Sequence, residues 1–401
     1  VVLVGPRYHE FFFEQTDKKL ALDRAYRFIG PMFGEPVSFV AGPEAYREQR
    51  PLYGALFTSR KMATYVAIMA QEVHAWRATL GAEGTFELVT TCEQLARHIA
   101  AHAFLGADFR QRLDETFWRL FRDLLAGIDP LLPPQLPLPK FRRRDRAKRQ
   151  LHILLRPLLA ERRAHPAAYD DFLQTLVAAR YADGRPWTDT LIISFILSLL
   201  FAGHETTAAQ TSWALILLLQ HPDYLGKVRA EQDALLPPGH GIDLETLRRF
   251  VHLSWALRET ERLRPSSDLL LRYNAEAYEL GGYYVPRGWL TLLSPLLSHQ
   301  LPEVFREPTR YDPLRFAPER AEDRQHRFAL VGFGGGLHKC AGMQFALHET
   351  SVIISLLLQE YDLELITPDP QPTKELRAPR PTPCWIRYRR RRAATGAPCR
   401  F

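Results

Sequence analysis

The stretch "FGGGLHKCAG", Phe333 to Gly342, sets one cysteine among four glycines directly ahead of an apolar run, "MQFALHETSVIISLLLQEY". Glycines 334–336 let backbone come close to something flat and bulky. A helix over 341–360 would aim its free N–H groups and positive dipole end at the Cys340 sulfur. Such a setting favours thiolate over thiol. A thiolate there could act as nucleophile, redox sensor or metal ligand, and a buried structural cysteine is the plain alternative.

Two further constellations carry chemistry. In "FAGHETTAAQTSW" (201–213), Gly203, Glu205, Thr206 and Thr207 interrupt an apolar helix where propensity and burial disfavour them. A threonine hydroxyl there competes for the carbonyl four residues earlier, that of Ala202, and could open a kinked polar groove for a small ligand and a proton path. A purely structural kink is the alternative. In "LRETERLRP" (257–265), Glu259 and Arg262 lie three apart on one helical face. "YDPLRF" (311–316) supplies Arg315, a second guanidinium able to bind the same carboxylate.

Elements that would position these residues are mostly helical. Of the 401 residues, 46% are hydrophobic and 24% charged, enough for a large core and no reason to expect disorder. "SRKMATYVAIMAQEVHAWRATL", "TTCEQLARHIAAHAFLG" and "DFRQRLDETFWRLFRDLLAG" repeat apolar residues at threes and fours. Strand signals are short: "VVLVG", "VSFV", "AYELGGYYVPRGWLTLLS" and "YDLELI". The expected class is therefore mainly α with small β sheets. The run 191–203 reads as a buried helix, shorter than the ~18–20 residues a bilayer requires. The proline-rich "DPLLPPQLPLPKF" (129–141) reads as a packed connection, with a lid or a membrane-touching patch as alternatives.

Charge and cysteine usage exclude other classes. Cys92, Cys340, Cys384 and Cys399 are too scattered for a disulfide framework or a zinc site, which favours a reducing, cytoplasmic setting. The net charge of +7 comes largely from "KFRRRDRAKR" (140–149) and "RYRRRRA" (387–393). Neither carries the aromatic interleaving of a nucleic-acid binder. Each reads as a solvated face or tail, or as a basic face that docks an acidic protein. The opening "VVLVGP" has no signal-peptide layout and leaves an upstream anchor open.

Taken together, "FGGGLHKCAG", "AGHETT", "ETER" and "PLRF" resemble, in order and spacing, the four signature motifs of the cytochrome P-450 monooxygenases. The resemblance covers nearly the whole chain, 1–401, as one domain, without the N-terminal helix and first strand usual in the family. It implies haem b between helix 191–221 and helix 341–360. Cys340 would be the axial thiolate whose electron donation favours O–O cleavage, with Phe333 beside the sulfur and Gly336 and Gly342 allowing close approach. Glu259, Arg262 and Arg315 would fix the segment behind the haem. Thr206 would hydrogen-bond to bound dioxygen and Glu205 would relay protons.

Within that family, "AYRFIGPMFGEPVSF" (25–39) is similar to the substrate-recognition segment of sterol 14α-demethylases, matching at Tyr26, Phe28, Pro31, Phe33, Gly34, Val37 and Phe39. Aromatics of this kind suit a wall against a flat hydrocarbon. The resemblance implies that Tyr26, Arg47, Arg272, His338 and Ala202 contact the haem, the first four at its propionates. Tyr26, Phe28, Phe33, Ala202 and His204 would line the substrate cavity. Two positions depart from the pattern: Glu205 replaces a histidine, and Val40 stands where an acid follows the phenylalanine. The implied reaction is oxidative removal of a sterol 14α-methyl group as formate. Hydroxylation of a terpenoid or polyketide, a non-catalytic haem-thiolate sensor and a haem-free scaffold are the rivals. Electrons would come from NAD(P)H through a ferredoxin-type partner docking near Lys339, or through a domain fused downstream, since no flavin-binding loop or iron–sulfur cysteine cluster is present. A monomer is expected, cytoplasmic or in contact with a membrane surface.

Overall fold

The computed structural model describes residues 1–112, 115–237, 239–373 and 378–391. The tail from 392 onward, with Cys399, lies outside the described residues. Helices dominate. The longest, Asp189–Gln220, hereafter the central helix, starts where the Thr188 hydroxyl accepts the Leu191 N–H at 3.1 Å and ends at His221, before Pro222. It runs unbroken for 32 residues, so its length alone would span a membrane. Its position decides otherwise: residues 191–200 are buried throughout, and it packs on helices Leu88–Leu105 and Met343–Glu360 in the main apolar core.

Nine strands among the described residues form three small sheets. β1 (Val2–Leu3), β2 (Leu20–Ala21), β4 (Leu270–Asn274) and β7 (Leu290–Leu293) make a four-stranded sheet in the order β1-β7-β4-β2. Only the β1–β7 pair in it is parallel. β5 (Tyr278–Leu280) and β6 (Tyr283–Val285) form a hairpin. β3 (Glu83–Glu87), β8 (Tyr361–Leu365) and β9 (Trp385–Arg390) form an antiparallel sheet with β9 in the middle.

Three sequence expectations change here. "VSFV" is not a strand: Ser38 takes a positive φ of 52°, Ser38–Val40 form a 3-10 turn, and the serine hydroxyl bonds the Tyr53 hydroxyl at 2.6 Å. The basic run after 385 is, in its described part, a solvated face as one reading has it, but on a strand, and its arginines are already paired. Ile386 and Tyr388 point into the core while Arg387 and Arg389 on the opposite face pair with Glu364 at 2.7 Å and Glu83 at 3.5 Å; Arg390 at the strand end meets Glu360 at 3.2 Å, and Arg391 beyond it reaches Asp233 at 2.8 Å. The proline-rich loop is not packed away: Leu131 is 85% exposed, and Leu132 and Leu136 also face solvent. Asp129 gives the loop its turn by accepting the Leu131 and Leu132 N–H groups at 2.8 and 2.9 Å.

Candidate active site

The cysteine loop is built by its own backbone. Cys340 N–H donates to the Phe333 carbonyl at 2.9 Å, and Gly334 N–H to Val331 at 2.8 Å. Gly334 and Gly336 hold φ of 69° and 64°, which a side chain would resist. Gly335 is needed for packing against protein, since a Cβ there would sit 2.7 Å from the Phe13 ring. At Gly342 a Cβ would meet Phe57 at 3.6 Å and the Cys340 sulfur at 4.0 Å, so the glycine leaves that face of the thiol clear. Solvent reaches Cys340, whereas Cys92 and Cys384 are buried.

Its electrostatics differ from the sequence expectation. The N–H groups of Gly342 and Met343 do pull the thiol down, but desolvation in the cleft outweighs them and pushes it above its ordinary value, with Glu261 adding to the push. The helix end alone does not make the thiolate. Coordination to a metal would, because a coordinating thiol is deprotonated outright.

Across from this loop, the central helix becomes accessible just where its polar residues lie. Ala202 is exposed in the middle of an otherwise buried helix, and the Thr206 hydroxyl donates to the Ala202 carbonyl at 2.7 Å, as the spacing predicts. Glu205 is half-buried and lines a small cleft with Glu93 and Arg380, themselves paired at 2.5 Å. His204 points elsewhere. It is two residues, about 200° of helix, from Ala202. Its Nδ1 bonds the Leu200 carbonyl at 2.9 Å and its ring lies 5.7 Å from Phe121, away from the face that Ala202 and Thr206 share.

The aromatic segment closes one wall. Tyr26 lies 5.9 Å from Phe28 and 5.8 Å from Phe39, and Phe33 packs 6.0 Å from Phe201 of the central helix. Phe33 itself is fully buried, while Phe28 is partly accessible. At the edge, Tyr26 and Arg272 bracket the backbone of one residue: the Tyr26 hydroxyl accepts the Leu271 N–H at 3.2 Å, and Arg272 donates to the Leu271 carbonyl at 2.8 Å and to Thr16 at 3.0 Å. Arg272 is 4% exposed and makes no ion pair among the described residues, and burial lowers it to about 10. A buried guanidinium that feels Asp17 only at a distance, the acid being held by His338, fits a site for an anionic group such as a haem propionate.

The other two expected propionate contacts stand differently. His338 is held by Asp17 at 2.7 Å and stacks on Tyr46 at 4.1 Å. Arg47 is exposed. The arginine of helix Pro43–Leu56 that reaches the cysteine loop is Arg50, one turn on, which donates to the Leu337 carbonyl. The i,i+3 spacing of the two arginines was the only signal for Arg50.

Behind the loop lies the ion-pair cluster. Arg262 binds both oxygens of Glu259 at 2.8 Å, and Arg315 Nε donates to the same oxygens at 3.2 and 3.0 Å, all three side chains fully buried. Their spare donors hold the carbonyls of His299, Arg306, Pro308 and Arg310. His299 then couples cluster to loop: Nδ1 faces the Arg262 carbonyl at 3.1 Å and Nε2 accepts the Val331 N–H at 3.0 Å. Sequence reasoning missed His299, for which no local motif exists.

A fold that seats a cysteine loop against a long threonine-bearing helix in this way is that of the haem-thiolate monooxygenases. The chain belongs to the cytochrome P450 family, whose model, described as Cytochrome P450, matches residues 1–383. It is 34% identical to the sterol 14alpha-demethylase of Mycolicibacterium vanbaalenii over 98% of this chain and 88% of that one. It is 33% identical to the Mycobacterium tuberculosis enzyme of the same name over the same shares. The Arabidopsis thaliana sterol 14-demethylase is 31% identical over 92% of this chain and 78% of its own. Among solved structures, retinoic acid bound cyanobacterial CYP120A1 superposes with a TM-score of 0.87 at 26% identity, covering 97% and 88% of the two chains. The protein is thus a P450 monooxygenase with a haem cofactor on a cysteine thiolate, an apolar substrate and electrons from a redox partner.

Proposed function

We propose that this chain removes the 14α-methyl group of a lanosterol-like sterol, oxidising it through alcohol and aldehyde to formate and a ring double bond. The observation that carries the reading is the aromatic segment Tyr26–Phe39, laid against Phe201 of the central helix and starting beside Arg272. The relatives' printed activity supports it.

Cys340 is the ligand in this reading. Bound haem supplies two-electron activation of dioxygen and insertion of one oxygen atom into a C–H bond. The chain's own residues do the rest. Arg272 and Tyr26 hold the propionate edge, with His338 and Arg50 securing the loop beside it. The apolar wall excludes water from the reacting carbon. Thr206, its hydroxyl oriented by the Ala202 carbonyl, holds a proton on the cleft side, and Glu205 passes protons inward from the Glu93–Arg380 cleft.

Titration of the reduced, CO-bound and then the oxidised protein with a 14α-methyl sterol tests this. A thiolate Soret band, a substrate-induced spectral shift and formate release support it; a thiolate band without shift or turnover removes the sterol. Glu205, an acid where the demethylases carry histidine, favours a second reading: hydroxylation of another apolar isoprenoid or polyketide. The same titration with those compounds distinguishes the two.

A further inference from the structure

Between Glu259 and Arg262, the helix Val251–Leu263 carries a third charged side chain that the ion-pair cluster does not use. Glu261 is 7% exposed and turns toward the cysteine loop. A Cβ on Gly332 would lie 2.8 Å from its Oε1, so the carboxyl rests on the backbone that leads into the loop, where the N–H groups of Gly332 and Phe333 bond to it. Phe333 in turn accepts the Cys340 N–H.

Compensation of this carboxyl is thin. Arg258, one turn earlier on the same helix, faces Glu261 but is engaged by the largely buried Asp323. Lys339, the cation from the loop side, is itself exposed. Cys340 feels the carboxyl, which pushes its thiol up. Burial prevails over both cations and both N–H groups and carries Glu261 up to about 7.

We propose that Glu261 is a positioning residue for the cysteine loop, one that fixes the Gly332–Phe333 backbone and, when ionised, lowers the reduction potential of iron held by Cys340. This rests on Cys340 being the haem ligand. A buried negative charge beside the thiolate disfavours the incoming electron, because the interior screens it poorly. Hydrogen bonds and net charge around ligand sulfur are general levers on such potentials. On reduction, one electron passes from the external donor to the iron and a proton moves from solvent to a Glu261 oxygen; no other bond changes. Glu261 thereby makes electron uptake depend on pH in the neutral range.

The test is the midpoint potential of the haem-loaded full chain by spectroelectrochemistry across about pH 6 to 8. It compares wild type, Glu261→Gln and Glu261→Asp, each with its reduced CO spectrum. Wild type should lose roughly tenfold in its reduction equilibrium as pH rises through that range, 59 mV for a one-electron couple. Glu261→Gln should stay at the low-pH level, and Glu261→Asp should restore part of the slope. A Gln variant that tracks wild type with its thiolate band intact overturns the proposal alone, as does a wild-type profile that is flat even where Gln fails to fold. Absence of the thiolate band in wild type overturns the ligation itself.

Discussion

Thr206 and Glu205 sit one residue apart yet face different environments, the hydroxyl toward the cleft beside Ala202 and the carboxyl toward Glu93 and Arg380. Their losses should therefore differ in kind. Thr206→Ala is expected to keep consuming reductant and dioxygen while releasing hydrogen peroxide, so product formed per NAD(P)H falls. Glu205→Gln slows turnover itself, by roughly 100-fold, the lower end for a positioned acid–base group, and raises the solvent isotope effect. Paired measurement of peroxide, product and isotope effect checks both. At this scale the sequence was readable wherever a motif is short: Cys340, Thr206 and Glu259 all stand where their spacing implies. A motif does not record which helix face a residue takes, and His204 turns to the Leu200 carbonyl and the Phe121 ring. Glu261 lay in plain view inside "ETER" but reads as a surface position until Gly332 is seen against it. His299 was invisible because its partners lie 37 and 32 residues away.

Among the elements, the helix Val251–Leu263 and the segment carrying Arg315 share one carboxylate between two fully buried guanidiniums. Glu259→Gln leaves both arginines without their common counter-charge, and removing one partner of a buried pair costs about 3–5 kcal/mol. Urea unfolding should show that loss, and haem uptake followed at the Soret band should fall with it, since the His299 and Arg310 carbonyls lose their donors' orientation. The central helix was legible from its continuous apolar run 191–203, and the helices Ser59–Arg77 and Leu88–Leu105 from apolar residues at threes and fours. Of the three-stranded sheet only β8 was, as "YDLELI": "EGTFE" has one large apolar residue and no apolar alternation, and in "WIRYRR" the inward Ile386 and Tyr388 are outnumbered by arginines that read as a charge run. Backbone pairing with β3 and β8 makes that run a strand, and the acids Glu83, Glu360 and Glu364 on its neighbours receive its arginines.

For the molecule as a whole, the arginines of β9 are already neutralised by neighbours, whereas Lys339 stands exposed beside the cysteine. An acidic electron donor should accordingly dock over Lys339. Lys339→Ala is expected to slow electron transfer severalfold at low salt and little at high salt. Arg387→Ala should leave that rate unchanged and cost under about 1 kcal/mol of stability, as exposed pairs do. Stopped-flow reduction at two ionic strengths separates these outcomes.

The imidazole that joins scaffold to loop also sets an acid limit. Burial lowers His299 to about 3, so the folded chain keeps that ring neutral while an unfolded one protonates it near its ordinary value of 6.5. Below that value the unfolded state binds the extra proton, and stability falls with pH, by about 2 kcal/mol from pH 6.5 to 5 for this single group. His9, lowered in the same way, adds to the slope. Unfolding free energies at those two pH values would check it. A protein so built tolerates alkali better than acid at its iron-binding end, and mild acidification should detach pigment before the helices melt.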